Sequence, residues 1–236
     1  MVNISNGMRK KKVAVFDIDG TIFRSSLLIE LTDALIQEGI FPSSVTKIYK
    51  KAYRDWLERK DSYEKYIQAV VLAFDDYIKG ISHYQFKKIA KKVASFHKNR
   101  VYRFTRDLVK KLKKSGFFLL AISHSPIEIV KEFCDHLGFN KVYGRVIEVD
   151  ERGKMTGKLL YPDLILNKDR ILTRAVEKHG LTLKGSVGIG DTGSDISFLS
   201  LVDRPICFNP NQKLYQHAKK KQWTIAVERK DVIYYH

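Results

Sequence analysis

The sequence of 236 residues has few cysteines and few prolines, and it contains no long apolar run. Its two cysteines, Cys134 and Cys207, lie far apart and outside any C-x-x-C pair, which argues against a zinc site and fits a reducing compartment. No uncharged apolar stretch approaches the roughly 18 residues of a membrane span, and none has the pattern of a signal peptide. These absences predict a cytoplasmic protein without a transmembrane segment.

Acidic residues are scarce relative to basic ones. The chain has 43 lysine and arginine residues against 26 aspartate and glutamate residues, a formal net charge of +17. Such a charge attracts anionic partners, including phosphorylated metabolites, nucleic acid and acidic membranes. The basic residues are spread along the chain. We therefore interpret the charge as serving general solubility and the steering of a small phosphorylated metabolite, with nucleic acid as a possible partner. The sequence predicts no oligomeric state.

An apolar strand over residues 12–16 is followed by a long helical segment. Apolar residues recur at helical spacing, with Gly39, Pro42 and Gly80 at the breaks. Consecutive helices without an intervening strand are typical of a small bundle. The predicted helices cover residues 27–37, 43–59, 62–78 and 82–96.

After residue 100, predicted strands and helices alternate, which indicates a parallel sheet with helices on both faces. Strands are predicted over 117–122, 141–149, 155–160, 186–189, 204–208 and, last, 223–227, and helices over 107–114, 126–137, 169–179, 194–199 and 212–220. We therefore predict an α/β fold with a Rossmann-like three-layer core and a mostly parallel sheet, over residues 1–24 and 101–236. A four-helix cap, residues 25–100, is inserted after the first strand.

Carboxylates and hydroxyls follow three of the predicted strands. Ligands bind outside the carboxyl ends of the strands in such sheets, so these side chains are expected to converge. They are Asp17 and Asp19 after the first strand, Ser123, His124 and Ser125 after the second, and Asp191 and Asp195 after residues 186–189. Residues two apart on an extended chain point to one side, which places Asp17 and Asp19 together.

Clustered carboxylates repel one another unless a cation joins them. Asp17, Asp191 and Asp195 supply hard oxygen ligands, which suit Mg²⁺. A carboxylate opposite a metal-bound phosphate can attack it and form an aspartyl-phosphate. A second aspartate can then protonate the leaving group and later activate water.

Phosphoryl transfer also needs donors around the phosphate oxygens. The Ser123 hydroxyl, the backbone N–H groups of His124 and Ser125, and Lys168 at the start of a predicted helix are the candidates. His124 either contacts the substrate or fills the turn between strand and helix.

The order of these segments resembles the haloacid dehalogenase-like (HAD) phosphatase superfamily, in its phosphoserine phosphatase-like branch, subfamily IB. Four stretches match its motifs: Asp17–Thr21, Ser123, Lys168 and Gly190–Asp195. The resemblance implies that Asp17 is the nucleophile and Asp19 the general acid and base. It further implies Mg²⁺ on Asp17, the Asp19 carbonyl and Asp191, with Asp195 in support. Contacts to phosphate or substrate are assigned to Thr21, Ser123, His124, Lys168 and Ser194.

Two positions depart from the relatives that hydrolyse phosphoserine. Those relatives carry a glutamate where Ser26 stands and an asparagine where Ser194 stands. Both departures weigh against phosphoserine itself and leave phosphatase chemistry intact. We therefore predict a small phosphomonoester as the substrate.

The helical segment carries aromatic residues interleaved with basic ones. Tyr49, Tyr53, Trp56, Tyr63 and Tyr66 are spaced as one packed helix face, so we expect them in the core of the cap with part of the set facing the site. Stacking on nucleic-acid bases is the alternative. For the whole protein, two alternatives to a phosphatase remain: a phosphotransferase using the same residues, or a HAD-fold protein that binds nucleic acid or anionic membrane.

Overall fold

The computed structural model describes residues 10–236, so residues 1–9 of the predicted core segment lie outside the described residues. Strand β1 (Lys12–Asp17) is buried after its first residue and ends on an aspartate. The next elements are α1 (Leu27–Gln37), α2 (Thr46–Leu57), α3 (Tyr63–Tyr77) and α4 (His83–His97). The four predicted helices are therefore present between the first two strands, while their separation as a cap domain over residues 25–100 stays a prediction.

The rest of the described chain alternates between strands and helices. Its elements are α5 (Arg103–Lys114), β2 (Phe118–Pro126), α6 (Ile127–Asp135), β3 (Lys141–Val149), β4 (Met155–Leu160), α7 (Pro162–Ile165), α8 (Lys168–Lys178), β5 (Thr182–Gly190), α9 (Ile196–Leu199), β6 (Arg204–Phe208), α10 (Gln212–Lys221), β7 (Thr224–Arg229) and β8 (Val232–Tyr235). The predicted α/β class and mostly parallel sheet are confirmed.

The eight strands form one sheet in the order β4-β3-β2-β1-β5-β6-β7-β8. All pairings are parallel except those of the edge strands β4 and β8, which pair antiparallel with β3 and β7. Asp17 lies beside Ile122 of β2, and Phe16 lies beside Ile189 of β5. The segments that follow β1, β2 and β5 therefore leave the sheet at the same edge, side by side.

Alternate residues of β1 enter two separate apolar cores, because successive side chains point to opposite faces of a strand. Ala14 and Phe16 pack in a core that includes residues of α1, α5 and α6. Val13 and Val15 pack in a second core with residues of α8 and α10. Helices thus cover both faces of the sheet, which confirms the predicted three-layer arrangement.

The strand predicted over residues 223–227 is present as β7, but it is not the last strand of the sheet. Strand β8 follows it and pairs antiparallel with β7, so the prediction of a last strand is wrong. The connecting turn, Lys230–Asp231, has Lys230 at φ 55° and lacks the glycine or asparagine that usually marks such a hairpin. The edge strand therefore has no clear turn signal in the sequence.

Candidate active site

Asp17 lies at the end of the central strand β1, where its side chain is almost fully buried. Lys168, the first residue of α8, donates from Nζ to Asp17 Oδ1 at 2.6 Å and to Asp195 Oδ1 at 2.5 Å. One buried ammonium group therefore joins two carboxylates that come from different strand ends. Burial alone would lower the pKa of Lys168, but the charges of Asp17 and Asp195 outweigh it and raise this pKa.

The second carboxylate oxygen of Asp17 differs from the first, which accepts a hydrogen bond from Lys168. Oδ2 is buried and has no hydrogen-bond partner among the described residues. Burial raises the pKa of Asp17 to about 7, and the neighbouring charges of Asp195 and Asp19 add to the rise, while Lys168 opposes it. An unpartnered, desolvated carboxylate oxygen is the form in which a carboxylate acts as a nucleophile or binds a cation.

Asp195 organises the turn that carries Asp191. Its Oδ2 accepts the backbone N–H groups of Asp191 at 3.0 Å and of Thr192 at 2.9 Å. Gly190 precedes this turn, and a Cβ atom there would lie 2.6 Å from Cβ of Asp195, so only glycine allows the close approach. Burial raises the pKa of Asp191 well above its ordinary value, as does the charge of Asp17.

Three carboxylates converge closely enough to share a metal ion. Asp17, Asp191 and Asp195 each offer an oxygen, and these oxygens lie within 4.8 Å of one another. Mg²⁺ prefers such hard oxygen ligands. A divalent cation would offset the charge repulsion that adds to burial in raising the pKa of Asp17 and Asp191. The residues present therefore fit Mg²⁺.

Asp19 lies just beyond β1 in a separate hydrogen-bond network. Its Oδ1 accepts the backbone N–H of Leu27 at 2.5 Å, and its Oδ2 accepts the hydroxyls of Ser123 at 2.5 Å and Ser125 at 3.0 Å. Burial raises the pKa of Asp19, although these hydrogen bonds oppose the rise. A carboxyl group with a raised pKa holds a proton more readily than an ordinary aspartate does, as a general acid must.

The Ser125 hydroxyl makes contacts that the sequence analysis does not assign. The sequence predicts this side chain near the site but gives a role only to the backbone N–H of Ser125. In the structure, the buried side chain donates to Asp19 and accepts the N–H of Leu28 at 3.1 Å. The N–H of Ser125 donates to the Ser123 hydroxyl at 2.9 Å. The alternation Ser123–His124–Ser125 could have shown this, because residues two apart on β2 face the same side.

The remaining predicted residues differ in how closely they approach the cluster. The Thr21 hydroxyl is buried and donates to Asp191 Oδ1 at 3.3 Å, so Thr21 belongs to the site. His124 is half-buried at the end of β2, and burial together with the charge of Lys168 lowers its pKa to about 4. Ser194 is exposed, and its hydroxyl contacts the Thr192 hydroxyl at 2.8 Å rather than the carboxylates.

Ser26, at the position where relatives carry a glutamate, is buried and immediately precedes α1. The next acidic residue, Glu30, has both carboxylate oxygens engaged. Its Oε1 accepts the Ser25 hydroxyl at 2.8 Å and Arg100 Nη1 at 2.7 Å, and its Oε2 lies 3.1 Å from His97 Nε2. Glu30 therefore ties the start of α1 to His97, the last residue of α4, and to Arg100, which follows that helix.

The haloacid dehalogenase-like hydrolase family matches residues 14–200, which span β1, the helical segment and all the acidic residues of the site. The chain belongs to this family. The predicted hydrolase superfamily is confirmed, and curated relatives that are phosphoserine phosphatases support the predicted phosphoserine phosphatase-like branch.

The histidinol-phosphatase of Neisseria meningitidis serogroup C is 24% identical over 91% of this chain and 98% of its own length. A phosphoserine phosphatase of Archaeoglobus fulgidus is 23% identical over 87% of this chain and 55% of its own length. A solved phosphoserine phosphatase, described as a phospho-aspartyl intermediate analogue, superposes with a TM-score of 0.61 at 23% identity, covering 94% and 96% of the two chains. This likeness shows the shared fold, and the family and relatives together support the predicted phosphatase class.

Within residues 10–236, no helix combines the length and the apolar composition needed to cross a bilayer. The cytoplasmic location inferred from the sequence stays a prediction.

Proposed function

We propose that this protein is a Mg²⁺-dependent phosphatase that hydrolyses a small phosphomonoester through an aspartyl-phosphate on Asp17. One observation carries the proposal: the unpartnered Oδ2 of Asp17 lies in a buried cluster with Asp191, Asp195 and Lys168. A buried nucleophile beside a cation site and a fixed ammonium group is the arrangement that phosphoryl transfer needs.

The free oxygen of Asp17 attacks phosphorus, and the bond between phosphorus and the alcohol oxygen breaks. Asp17, Asp191 and the backbone carbonyl of Asp19 would hold Mg²⁺, with Asp195 in support. The metal, when bound, supplies Lewis-acid polarisation of the phosphate. Lys168 lies against Asp17 and Asp195, so its ammonium group neutralises charge beside the nucleophile and can contact a phosphate oxygen.

Asp19 supplies the proton. Burial raises the pKa of its carboxyl group, which Leu27 N–H and two serine hydroxyls hold in place. This carboxyl group donates a proton to the departing alcohol oxygen. The resulting carboxylate then takes a proton from water, which attacks the phosphoryl group on Asp17 and releases phosphate. Ser123 and Thr21 contact Asp19 and Asp191 and are proposed to turn their hydroxyls toward the phosphate.

A small phosphorylated metabolite is the proposed substrate class. The relatives named for phosphoserine and histidinol phosphate place amino-alcohol phosphates in the first panel to be tested. Ser26 supplies no charge for a substrate amine, and Glu30 is already paired, so phosphoserine itself is expected to be a poor substrate.

Phosphate release from a panel of phosphomonoesters, with and without Mg²⁺, tests the proposal. The panel includes p-nitrophenyl phosphate, phosphoserine and histidinol phosphate, and the Asp17→Asn variant runs beside the unmodified protein. We expect Mg²⁺-dependent release that disappears in the variant. Absence of release from every ester, by folded protein with Mg²⁺, would contradict the proposal and favour transfer to another acceptor or a role in binding polyanions.

A further inference from the structure

Helix α4 contains no acidic residue, and lysines dominate its exposed side. Phe86, Ile89 and Val93 are buried in the apolar core that this helix shares with α1 and α6. The residues between them are exposed, because they lie on the opposite side of the helix. We call this exposed set the α4 face; it comprises Tyr84, Gln85, Lys87, Lys88, Lys91, Lys92, Ser95 and Phe96, with Lys98 directly after the helix.

Few carboxylates offset the positive charge of the α4 face. Glu38, which follows α1, forms an ion pair with Lys92. Glu132 of α6 lines a groove together with Lys91 and Lys98 but pairs with neither. The lysines of the face that form no ion pair with any described residue are Lys87, Lys88, Lys91 and Lys98. The face therefore keeps positive charge that is available to an anionic partner.

Two aromatic rings accompany these lysines. Tyr84 is 78% exposed and Phe96 is 83% exposed, the two highest values among the large hydrophobic side chains of the described residues. They lie near the two ends of α4, about 18 Å apart along its axis. One exposed apolar side chain is ordinary, but two on a single basic face give it both charges and rings that a partner could bury.

The composition of the α4 face favours an anionic lipid surface over nucleic acid. Its cations are all lysines, whereas arginine is the preferred residue for recognising nucleic-acid phosphates. Arg100, the nearest arginine along the chain, is paired with Glu30. The ring of Phe96 has no hydrogen-bonding group, so an apolar phase is the environment that stabilises it best. The exposed side of a helix is also convex, unlike the grooves that single strands occupy.

We propose that the α4 face binds the surface of a membrane that contains anionic lipids. The lysines contact the anionic headgroups, and the rings of Tyr84 and Phe96 enter the boundary between headgroups and acyl chains. Because the apolar side of α4 is buried in the protein, the helix attaches to the membrane surface without leaving the fold. The inference concerns a different surface from the candidate active site and does not depend on the phosphatase proposal.

Cosedimentation of the full chain with vesicles, in about 0.15 M salt, tests the inference. Vesicles of equal parts phosphatidylserine and phosphatidylcholine are compared with vesicles of phosphatidylcholine alone, and we expect binding only to the first. The triple variant Lys87→Glu, Lys88→Glu, Lys91→Glu is expected to bind them more than about a hundredfold more weakly, because each lysine near an anionic surface contributes about fivefold.

The triple variant Lys110→Glu, Lys111→Glu, Lys114→Glu is the matched control. These three lysines of α5 are also exposed, and their reversal changes the net charge of the protein by the same amount. Circular dichroism checks that both variants are folded. The α5 variant is expected to keep most of the binding, whereas equal losses in the two variants would overturn the inference, because net charge alone would then explain the binding.

Phe96→Ser tests the contribution of the rings. It is expected to weaken vesicle binding by at least about threefold, since burial of a phenyl ring is favourable. Unchanged binding by this variant would overturn the insertion of the ring. Absence of binding to the phosphatidylserine vesicles, or equal binding to both kinds of vesicle, would overturn the whole inference. Tighter binding to single-stranded or duplex DNA than to vesicles, lost in the α4 triple variant, would also overturn it and assign the face to nucleic acid.

Discussion

At the scale of single residues, the glycine that directly follows Asp19, Gly20, is required for a steric reason. Its φ is +81°, and a Cβ atom there would lie 2.2 Å from Asp191 Oδ2. Gly39 has a similar φ of +69° but no atom within 4 Å of its Cβ position. The two glycines therefore share the same backbone requirement and differ only in what surrounds them.

We predict that Gly20→Ala and Gly39→Ala each lower the free energy of unfolding by about 1–2 kcal/mol, the cost of a left-handed backbone for a residue with Cβ. Only Gly20→Ala should also weaken Mg²⁺ binding and phosphate release, because its methyl group displaces Asp191. Urea unfolding and Mg²⁺ titration of both variants check this. Normal Mg²⁺ binding by Gly20→Ala would show that Asp191 does not hold the metal.

Lys168 is the buried cation that pairs with the carboxylates of Asp17 and Asp195. We predict that Lys168→Met lowers the free energy of unfolding at neutral pH by about 3–5 kcal/mol, because Asp17 and Asp195 lose their buried partner. Chemical denaturation in Mg²⁺-free buffer measures the change. Lys178→Met, at an exposed position on the same helix, serves as the control and should change stability little. Equal effects of the two variants would argue against a stabilising role for the Lys168 network.

At the scale of secondary-structure elements, an ion pair joins the helical segment to the sheet. Arg145 of β3 is only 8% exposed, and its Nη2 donates to both carboxylate oxygens of Asp75 on α3, at 2.6 and 2.9 Å. Removal of Asp75 leaves a mostly buried guanidinium group without this partner. The contact therefore couples α3, which also carries Tyr63, to the sheet.

We predict that Asp75→Ala destabilises the protein by about 1–3 kcal/mol, the usual cost of leaving a buried polar group unpaired. Asp76→Ala is the matched control, because Asp76 is the next residue of α3 and is exposed. Thermal and chemical unfolding of the two variants measure the difference. The account of this contact fails if Asp75→Ala is as stable as the control.

The helix starts show what local sequence can and cannot predict. The four helical periodicities predict α1 to α4 within a few residues, because this signal is local. In contrast, α5 begins at Arg103 rather than at the predicted residue 107. Its first N–H groups, those of Arg103 and Phe104, are accepted by Glu228 of β7, at 3.1 and 2.8 Å. A cap supplied by a residue so distant in sequence leaves no local pattern.

The candidate site also has some features that the sequence predicts and others that it does not. The motif order predicts which strand ends meet, and the structure brings together Asp17, Thr21, Lys168, Asp191 and Asp195. Sequence could not predict that Glu30 pairs with Arg100 and His97, because those residues come from the far end of the helical segment. It also could not predict that Ser194 turns toward Thr192.

At the scale of the whole molecule, the carboxylate cluster links stability to pH and to metal. The pKa of Asp17 is raised from 3.8 to about 7, so the Mg²⁺-free folded state retains a proton that the unfolded state loses. The stabilisation from this group is complete below its unfolded pKa and is lost as the pH rises through about 7.

We predict that the rise in melting temperature on adding Mg²⁺ is larger at about pH 8 than at about pH 5.5, because protons compete with the metal for Asp17 and Asp191. Thermal unfolding with Mg²⁺ and with a chelator, at both pH values, measures the rise. Asp191→Asn should abolish most of the Mg²⁺ effect at either pH. A Mg²⁺ effect that is independent of pH would argue against metal binding by these carboxylates.

The central claim is that the phosphoryl group passes through Asp17, and trapping it there is the most direct test. The protein is mixed with its best ester and Mg²⁺, quenched in acid during turnover, digested and analysed by mass spectrometry. We predict a phosphoryl group on the peptide that contains Asp17, at that residue, and no such peptide from Asp17→Asn. Steady phosphate release by the Asp17→Asn variant, at a rate close to that of the unmodified protein, would contradict the account.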